Sequence, residues 1–400
     1  MIFRQRKRQK MISTYLFEPL VPEDARHVLA DLATELVGKS SGLAGRLHPV
    51  LRTSIGDLVR SMNCYYSNLI EGHNTHPVDI DRALSGDYSA EPGRRDLQRE
   101  AIAHIEVQRL IDRGEAPSPP LSTDFILWVH REFCNRLPDD LLWVDNPDTG
   151  ERVPVVPGEF RRVHVQVGRH IPPGGDEIAP FLARLVDAYA PGRLSKIQRI
   201  TAVAASHHRL LWVHPFLDGN GRVTRLLSHA HFRELGVGSE LWSISRGLAR
   251  QVDRYKAKLM GADEPRRGDL DGRGNLTLAG LEAFCAFFLE TSLDQVAFME
   301  GLLDLDGLLR RMEIWCEEEI RAKTLHRGSW SLLREAVVMG EFPRGRAVLI
   351  TGYEERQSRT VLTQLLARGL LVSDGPRAAV RLGFPIDVVE RWFPKLYPGL

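Results

Sequence analysis

The stretch HPFLDGNGRVTR at residues 214–225 constrains the fold more than any other part of the sequence. An apolar helical pattern ends near Val213, and a second helical pattern begins at Gly221, after a turn that Gly219 and Gly221 bracket. Glycine often lets the backbone turn sharply at a helix boundary. The stretch therefore predicts a short loop that leads into the N-terminus of a helix.

The same loop has the chemistry of a phosphate site. Glycines at a helix start allow backbone N–H groups to approach a ligand, and the helix dipole favours negative charge there. Arg222 and Arg225 lie on the first turn, where two cations oppose the dipole unless an anion is bound beside them. His214 is a candidate general base, Asp218 a candidate magnesium ligand, and Asn220 a candidate donor to a phosphoryl oxygen.

Each of these residues also has a structural interpretation. Taken alone, Asp218 is more typical of a helix N-cap, and His214 of a hydrogen-bonded structural histidine. Pro215 and Phe216 are best explained as packing residues in either case. No structural role explains all the polar and glycine positions together, so the combination favours a functional site.

Composition and charge exclude several classes of protein. The 400 residues include 53 Lys and Arg against 52 Asp and Glu, so the chain as a whole is not an electrostatic binder of nucleic acid or membranes. Four cysteines without a CxxC pair predict reduced, buried thiols rather than disulfides or a zinc site. Residues 1–10 are basic, but no signal-peptide or membrane-spanning apolar run follows. We expect a cytoplasmic protein that binds no membrane.

Helical periodicity dominates the chain and predicts a mainly α fold. The first helical pattern begins at residue 21, where Pro-Glu-Asp resembles the first turn of a helix. Such patterns fill residues 21–115 and 124–137, and they return from 178 to about 325. Residues 152–175 differ, because Val163 and its neighbours alternate with polar residues between Pro- and Gly-rich ends. That alternation predicts a short strand or hairpin in a helical protein.

Residues 326–400 have the pattern of a winged helix-turn-helix. A helix, a turn and a second helix are followed by two short β-prone pieces around residues 374–375. Arg356 and Arg359 lie near the start of the candidate recognition helix, yet 11 basic and 7 acidic residues are a weak basis for DNA binding. Protein–protein contact or support of a homodimer is the alternative role for this unit.

Other motifs fail at particular residues. The loop is not a Walker A motif, because no GKS or GKT follows a strand. Residues 269–282 resemble an EF-hand loop, but Arg273 takes the fifth position and Gly280 replaces the glutamate at the twelfth. The zinc motif HExxH is absent around His207 and His208.

Residues 214–225 match HxFx[D/E]GNGRxxR, the motif of the Fic family, without departure. The chain resembles a Fic-domain protein from about residue 20 to about residue 300, including the stretch HIPPGGDEIAPFLARL. Fic enzymes typically transfer AMP from ATP to a hydroxyl group of a target protein. The resemblance implies a Fic-type helical core with a short β-hairpin flap.

The resemblance also implies a role for each motif residue. His214 would deprotonate the Ser, Thr or Tyr hydroxyl of the target, and Asp218 would hold Mg²⁺. The residues implied in binding the phosphates of ATP are Gly219, Asn220, Gly221, Arg222 and Arg225. Attack on the α-phosphorus would give the adenylylated hydroxyl and pyrophosphate.

The segment around Val163 resembles the Fic flap. Val163, His164 and Val165 would form an exposed edge that holds an extended target segment by strand addition, and would present its hydroxyl to His214. The alternative is an ordinary hairpin that covers the core.

The stretch SNLIEG from Ser67 to Gly72 matches the family's inhibitory motif, [S/T]xxxE[G/N]. A carboxylate of Glu71 that pairs with Arg225 would take the place of the γ-phosphate. ATP would then bind with its α-phosphate misplaced for in-line attack. A lone glutamate at a helix end is otherwise a solvated residue, and in some family members this glutamate also helps to remove AMP.

The sequence therefore predicts an autoinhibited protein adenylyltransferase that uses ATP and Mg²⁺ and modifies a protein substrate, itself included. We expect an N-terminal inhibitory region (1–115), a catalytic core (116–300), a connecting helix (301–325) and a winged-helix domain (326–400). One alternative is a Fic enzyme that transfers another phosphate-containing group. The other is an ATP-sensing DNA-binding regulator, which the intact His214 disfavours because sensing requires no base.

Overall fold

α-Helices make up most of the structure, which confirms the mainly helical fold class. The computed structural model describes residues 14–146, 150–238 and 240–397. Before residue 325 the helices are α1 (Val28–Gly45), α2 (Pro49–Ile70), α3 (Pro77–Leu84), α4 (Pro92–Asp112), α5 (Thr123–Cys134), α6 (Ile178–Ala188), α7 (Lys196–Val213), α8 (Asn220–Glu234), α9 (Ile244–Arg250), α10 (Val252–Asp263), α11 (Leu278–Leu302) and α12 (Leu305–Arg321). Within the described ranges, no helix has both the length and the hydropathy that crossing a membrane requires.

The first helix begins later than the sequence predicts. Residues 21–27 form turns, and α1 starts at Val28 because the side chain of Asp24 caps it from outside. The two carboxylate oxygens of Asp24 accept the backbone N–H groups of Leu29 and Ala30, at 3.0 and 2.9 Å. The acidic residues near residue 21 therefore serve as a helix cap rather than as a first turn.

Helix α8 lies in the middle of the helical core, and α7 leads into it through the loop at residues 214–219. α8 packs against α2, α4, α5, α7 and α9, while α11 covers α1, α7, α9 and α10. Val213 and Phe216, on either side of the loop's start, are fully buried. The loop is therefore anchored in the core at the point where the two helices meet.

The strand predicted around Val163 is absent, and the hairpin lies earlier in the chain. Strands β1 (Trp143–Asp145) and β2 (Arg152–Pro154) pair antiparallel, with Val144 opposite Val153. Along residues 155–175 the described β-pairing is a single antiparallel bridge between Val167 and His170. Alternating valines form a strand only where a partner strand completes the ladder, and here side-chain hydrogen bonds from Arg161 hold the segment instead.

The C-terminal residues add helices and a small sheet. The elements are α13 (Ser329–Met339), β3 (Glu341–Phe342), α14 (Ala347–Thr351), α15 (Glu355–Ala367), β4 (Leu371–Val372), β5 (Val380–Leu382) and α16 (Ile386–Trp392). The three strands are antiparallel in the order β3-β5-β4. The assignment of residues 326–400 as a winged helix-turn-helix domain stays a prediction.

This C-terminal part packs against α2. The hydroxyl of Tyr66 donates a hydrogen bond to the carbonyl of Leu396 at 2.7 Å, and the ring of Tyr397 lies edge-on to Tyr65, with centroids 5.3 Å apart. Helix α2 is thus held between the centre of the core on one side and the C-terminal residues on the other.

Candidate active site

Two residues with left-handed backbone conformation shape the loop between α7 and α8. His214 ends α7 with φ 49°, and Gly219 precedes α8 with φ 78°. Asn220 closes the loop, since its Oδ1 accepts the N–H of Phe216 at 2.9 Å and its Nδ2 donates to the Phe216 carbonyl at 2.8 Å. The Phe216 ring in turn stacks on His130, with centroids 3.9 Å apart. The side chain of Asn220 holds the loop in shape, and its predicted contact with a phosphoryl oxygen stays a prediction.

His214 is held in its neutral form. Burial lowers its pKa, and the neighbouring Arg161 guanidinium and His170 imidazole lower it further, to about 4, against opposing effects of a backbone hydrogen bond with Leu211 and of Asp218. At neutral pH the imidazole is therefore almost entirely unprotonated. Only this form can accept a proton, so the chemical state of His214 is that of a base.

Arg225 is buried on the first turns of α8 and is bound by residues of α2. Its Nε donates to Oγ of Ser67 at 2.8 Å, and its Nη2 donates to the Ser67 carbonyl at 3.1 Å. Nη2 also lies 2.5 Å from Oε1 of Glu71. The structure thus brings Arg225 together with Ser67 and Glu71, both of which lie more than 150 residues before it in the sequence.

The carboxylate of Glu71 covers the start of α8. Glu71 caps the C-terminal end of α2, and Gly72 turns the chain away with φ 89°. A Cβ placed on Gly221 would lie 2.1 Å from Oε1 of Glu71 and 3.0 Å from Nη1 of Arg225. Burial would raise the pKa of Glu71, but the charge and hydrogen bond of Arg225, with Arg222 and His73, bring it below its ordinary value. An ionised carboxylate therefore lies at the helix N-terminus, where an anion is most stable.

Arg222 is also buried and has two carboxylate partners. Its Nη1 lies 2.9 Å from Oε2 of Glu100, and its Nη2 lies 3.1 Å from Oδ2 of Asp218. The guanidinium stacks over the ring of Phe133 at 4.9 Å. Glu100 is shared, because its Oε2 is also 2.8 Å from Nδ1 of His73, just beyond the predicted inhibitory motif.

Asp218 lies at the mouth of this site, and its side chain is 55% exposed. The described residues contain no cluster of three or more His, Cys, Asp or Glu side chains that would enclose a metal. Mg²⁺ usually takes one or two protein carboxylates and completes its shell with water and substrate phosphates. One accessible carboxylate beside the candidate phosphate site is compatible with the predicted Mg²⁺ ligand, and this role of Asp218 stays a prediction.

Val163, His164 and Val165 lie in an irregular segment next to the loop, with a bend at Val163. Val163 and His164 are exposed, and no described strand pairs with them. The segment is tied to the loop at one end and to the end of α7 at the other: the backbone N–H of Arg161 donates to the Pro215 carbonyl at 2.9 Å, and Nε2 of His170 contacts the Trp212 carbonyl at 2.6 Å. The predicted docking residues therefore lie near His214, in an irregular segment rather than in a strand.

Three further residues that sequence reasoning missed hold this site. Glu100 binds Arg222, Arg161 binds the carbonyl of His214, and His130 stacks on Phe216 while its Nδ1 accepts the N–H of Gly158. Glu100 is one of many charged residues on an amphipathic helix, and nothing in its spacing distinguishes it. His130 sits at an apolar helical position, which favours an ordinary core histidine.

Residues 120–231 match the sequence model of the Fic/DOC family. The chain is 30% identical over 183 residues to the protein adenylyltransferase Fic of Nematostella vectensis, which covers 43% of this chain and 37% of that protein. It is 36% identical over 97 residues to the protein of the same name in Drosophila willistoni, covering 24% of this chain and 20% of that protein. The chain thus spans between a fifth and about two fifths of the length of these relatives.

Solved structures share the fold. A Fic family protein from Desulfovibrio desulfuricans G20 superposes with a TM-score of 0.50 at 17% identity, covering 88% of this chain and 95% of that one. Fic-1 from C. elegans superposes with a TM-score of 0.51 at 18% identity, covering 70% of this chain and 74% of that one. The loop with His214, Asp218 and the two arginines lies within residues 120–231, the part of the chain that matches the Fic/DOC family model.

Proposed function

We propose that this chain is an autoinhibited protein adenylyltransferase, which transfers AMP from ATP to a Ser, Thr or Tyr hydroxyl of a target protein. The observation that carries the proposal is the contact of Glu71 with Arg225 at Gly221. A helix N-terminus and a buried arginine both attract an anion, and here a carboxylate of the chain itself lies against them. Such a site fits the terminal phosphates of ATP and also a built-in competitor for them.

The transfer step uses the loop as a whole. The hydroxyl oxygen of the target forms a bond to the α-phosphorus, and its proton passes to the imidazole of His214. The bond between that phosphorus and the α–β bridging oxygen breaks, and pyrophosphate leaves with the electron pair. His214 contributes as a general base, which is worth roughly 10²–10⁴ in rate, while positioning and charge stabilisation supply the rest.

The phosphates are held by groups at the start of α8. The backbone N–H groups of Gly219 and Gly221 face the ligand, and Arg225, once Glu71 has left it, offers a planar guanidinium to the γ-phosphate. Arg222, which is buried on the same helix, adds a second positive charge near the phosphates. Mg²⁺ held by Asp218 would neutralise part of the phosphate charge when it is bound.

Glu71 restrains the reaction by charge and by volume. Its carboxylate repels the γ-phosphate and takes one side of the Arg225 guanidinium, so bound ATP is displaced from the in-line geometry. A displacement on the order of 1 Å costs about 10²-fold in rate.

The test compares Glu71→Ala with the unaltered protein, using ATP labelled at the α-phosphate and a native lysate as the source of targets. We expect protein labelling to rise on the order of 10- to 100-fold in Glu71→Ala, and to vanish in Glu71→Ala combined with His214→Ala. Label from the γ-phosphate would instead reveal phosphorylation. Parallel reactions with labelled UTP or CDP-choline distinguish the other transferred groups.

Glu106 provides a matched control. The side chains of Glu71 and Glu106 are 34% and 35% exposed, and Glu106 pairs with Arg109 on α4. Glu106→Ala removes a carboxylate–arginine pair of the same kind away from the loop, and we expect it to leave labelling unchanged. Equal labelling in the two variants would refute inhibition by Glu71, and an absence of any nucleotide transfer in Glu71→Ala would refute the enzyme itself.

A further inference from the structure

Arg161 connects the catalytic histidine to the segment that carries the docking residues. It is 4% exposed, and its Nε donates to the His214 carbonyl at 2.8 Å. Nη1 donates to the Val163 carbonyl at 2.9 Å, and Nη2 to the Pro173 carbonyl at 2.5 Å. One guanidinium thus binds the loop and both ends of the segment 163–173.

The partners of Arg161 are unusual for a buried arginine. Buried arginines ordinarily pair with a carboxylate, but among the described residues Arg161 is hydrogen bonded to backbone carbonyls alone. One of these carbonyls, that of His214, lies at the C-terminal end of α7. The last carbonyls of a helix lack intrahelical partners and carry partial negative charge, so a cation is stabilised there.

A second contact fixes the other side of the same segment. Nε2 of His170 lies 2.6 Å from the Trp212 carbonyl, also at the end of α7. A Cβ on Gly175 would lie 2.7 Å from the Arg161 carbonyl, so the chain closes tightly on itself after the segment. The segment is therefore hydrogen bonded to the end of α7 and, through Arg161, to His214.

We propose that Arg161 is a positioning residue for the transfer reaction: it holds the backbone of His214 and the docking segment as one unit, so that a target bound to the segment meets the imidazole. This inference rests on the function proposed above. It adds Arg161 to the residues that serve the reaction, as one that acts through His214 and the segment and does not itself contact the reacting atoms.

The electrostatics of the site agree with this geometry. The charged and titratable groups that face His214 are Arg161 and His170, which lower its pKa, and Asp218, which raises it. Arg161 thus both fixes the backbone of the base and favours its neutral form. Loss of the guanidinium would loosen the αL conformation of His214 and remove one charge that opposes its protonation.

The test uses Arg161→Gln and Arg161→Lys in the Glu71→Ala protein, with Arg162→Gln as the matched control. Arg162 is the next residue, but it is 88% exposed and pairs with Glu159 at the surface. We expect kcat for target labelling to fall on the order of 10- to 100-fold in Arg161→Gln, with KM for ATP nearly unchanged. Arg161→Lys should be more active than Arg161→Gln but less active than the parent, because lysine keeps the positive charge and lacks the planar guanidinium with its several N–H donors. Arg162→Gln should behave like the parent.

A second measurement needs no ATP or target. In protein labelled with ¹³C-histidine, the resonance of His214 is assigned by its loss in His214→Ala, and its titration midpoint is followed in each variant. We expect the midpoint to move upward in Arg161→Gln, less in Arg161→Lys, and not at all in Arg162→Gln. If the Glu71→Ala parent transfers no nucleotide, the proposed function fails, while this titration still decides whether Arg161 controls His214.

His170→Ala covers the case in which Arg161→Gln does not fold, because it releases the other end of the segment and leaves Arg161 in place. We expect it to lower kcat and to raise the His214 midpoint in the same direction. Unchanged kcat and an unchanged midpoint in Arg161→Lys and His170→Ala would overturn the proposal. A rise in KM for ATP without a change in kcat would also overturn it, because that pattern belongs to nucleotide binding.

Discussion

Glu71 rests on the backbone of Gly221, so closely that a single methyl group at this glycine would meet Oε1 at 2.1 Å. The two residues belong to the two motifs that the sequence singles out, one inhibitory and one catalytic. Gly221 has ordinary helical dihedrals, so its lack of a side chain serves the close approach of an anion rather than a special backbone conformation.

This contact predicts how Gly221→Ala behaves. The new methyl group displaces the flexible carboxylate of Glu71, but it fills the place where we propose that the γ-phosphate binds. We expect weaker inhibition together with weaker ATP binding, so labelling does not rise as it does in Glu71→Ala. Isothermal titration with ATP measures the weaker binding of ATP. Because alanine has the higher helix propensity, the exchange should also raise the free energy of unfolding by about 1 kcal/mol. Strong labelling by Gly221→Ala would show that phosphate and carboxylate occupy different places.

Ser67→Ala tests the hydrogen bond that orients Arg225. Ser67 is fully buried and its Oγ accepts Nε of Arg225, so its removal leaves a buried guanidinium donor without a partner. We expect a loss of about 1–3 kcal/mol in the free energy of unfolding, measured by urea denaturation.

Ser54 supplies the control for this measurement, because it lies on the same helix and is also buried. Its Oγ has no hydrogen-bond partner among the described residues. Ser54→Ala removes an unsatisfied hydroxyl, and we expect it to be neutral or stabilising. Equal losses in the two variants would mean that the hydroxyl of Ser67 contributes nothing through Arg225.

The sequence predicted the parts of the site that its two motifs encode. The loop at residues 214–219, the helix that follows it and the contact of Glu71 with Arg225 were all expected, because glycine spacing and a complete family motif carry that information. The prediction of a strand at Val163 was wrong, because the alternation of apolar and polar residues does not show whether a partner strand is present. Arg161 and Glu100 were missed, because burial of a charged residue depends on how distant helices pack, and one sequence does not show that packing.

The pH dependence of the reaction tests the state of His214. Because the pKa of His214 lies at about 4, the base is already unprotonated throughout the neutral range. In Glu71→Ala, with magnesium in excess over ATP, we expect kcat/KM to be constant from roughly pH 5.5 to 8 and to fall only at lower pH. Circular dichroism at each pH excludes unfolding as the cause. A midpoint near 6.5, the ordinary value for histidine, would show that the environment does not hold the base neutral.

The inhibition proposed above would be released locally, because α2 is part of the core. Ile55, Val59 and Met62 are fully buried on this helix, and Tyr66 is hydrogen bonded to the C-terminal residues. Detaching α2 would expose all of this apolar surface, whereas Glu71 and Gly72, just beyond the helix, are already exposed. We therefore expect a small movement of the Glu71 side chain to remove its contact with Arg225, while the contacts of Ser67 remain.

Met62→Ala separates these two routes. The truncation leaves a cavity under α2, and we expect it to lower the free energy of unfolding by about 2–5 kcal/mol in urea denaturation. Labelling should stay at the level of the unaltered protein, because Glu71 keeps its contact with Arg225 while the protein remains folded. Glu71→Ala should show the opposite pattern, with high labelling and a small change in stability. If Met62→Ala raised labelling in proportion to its loss of stability, inhibition would be released by detachment of the whole helix, and the local mechanism would be wrong.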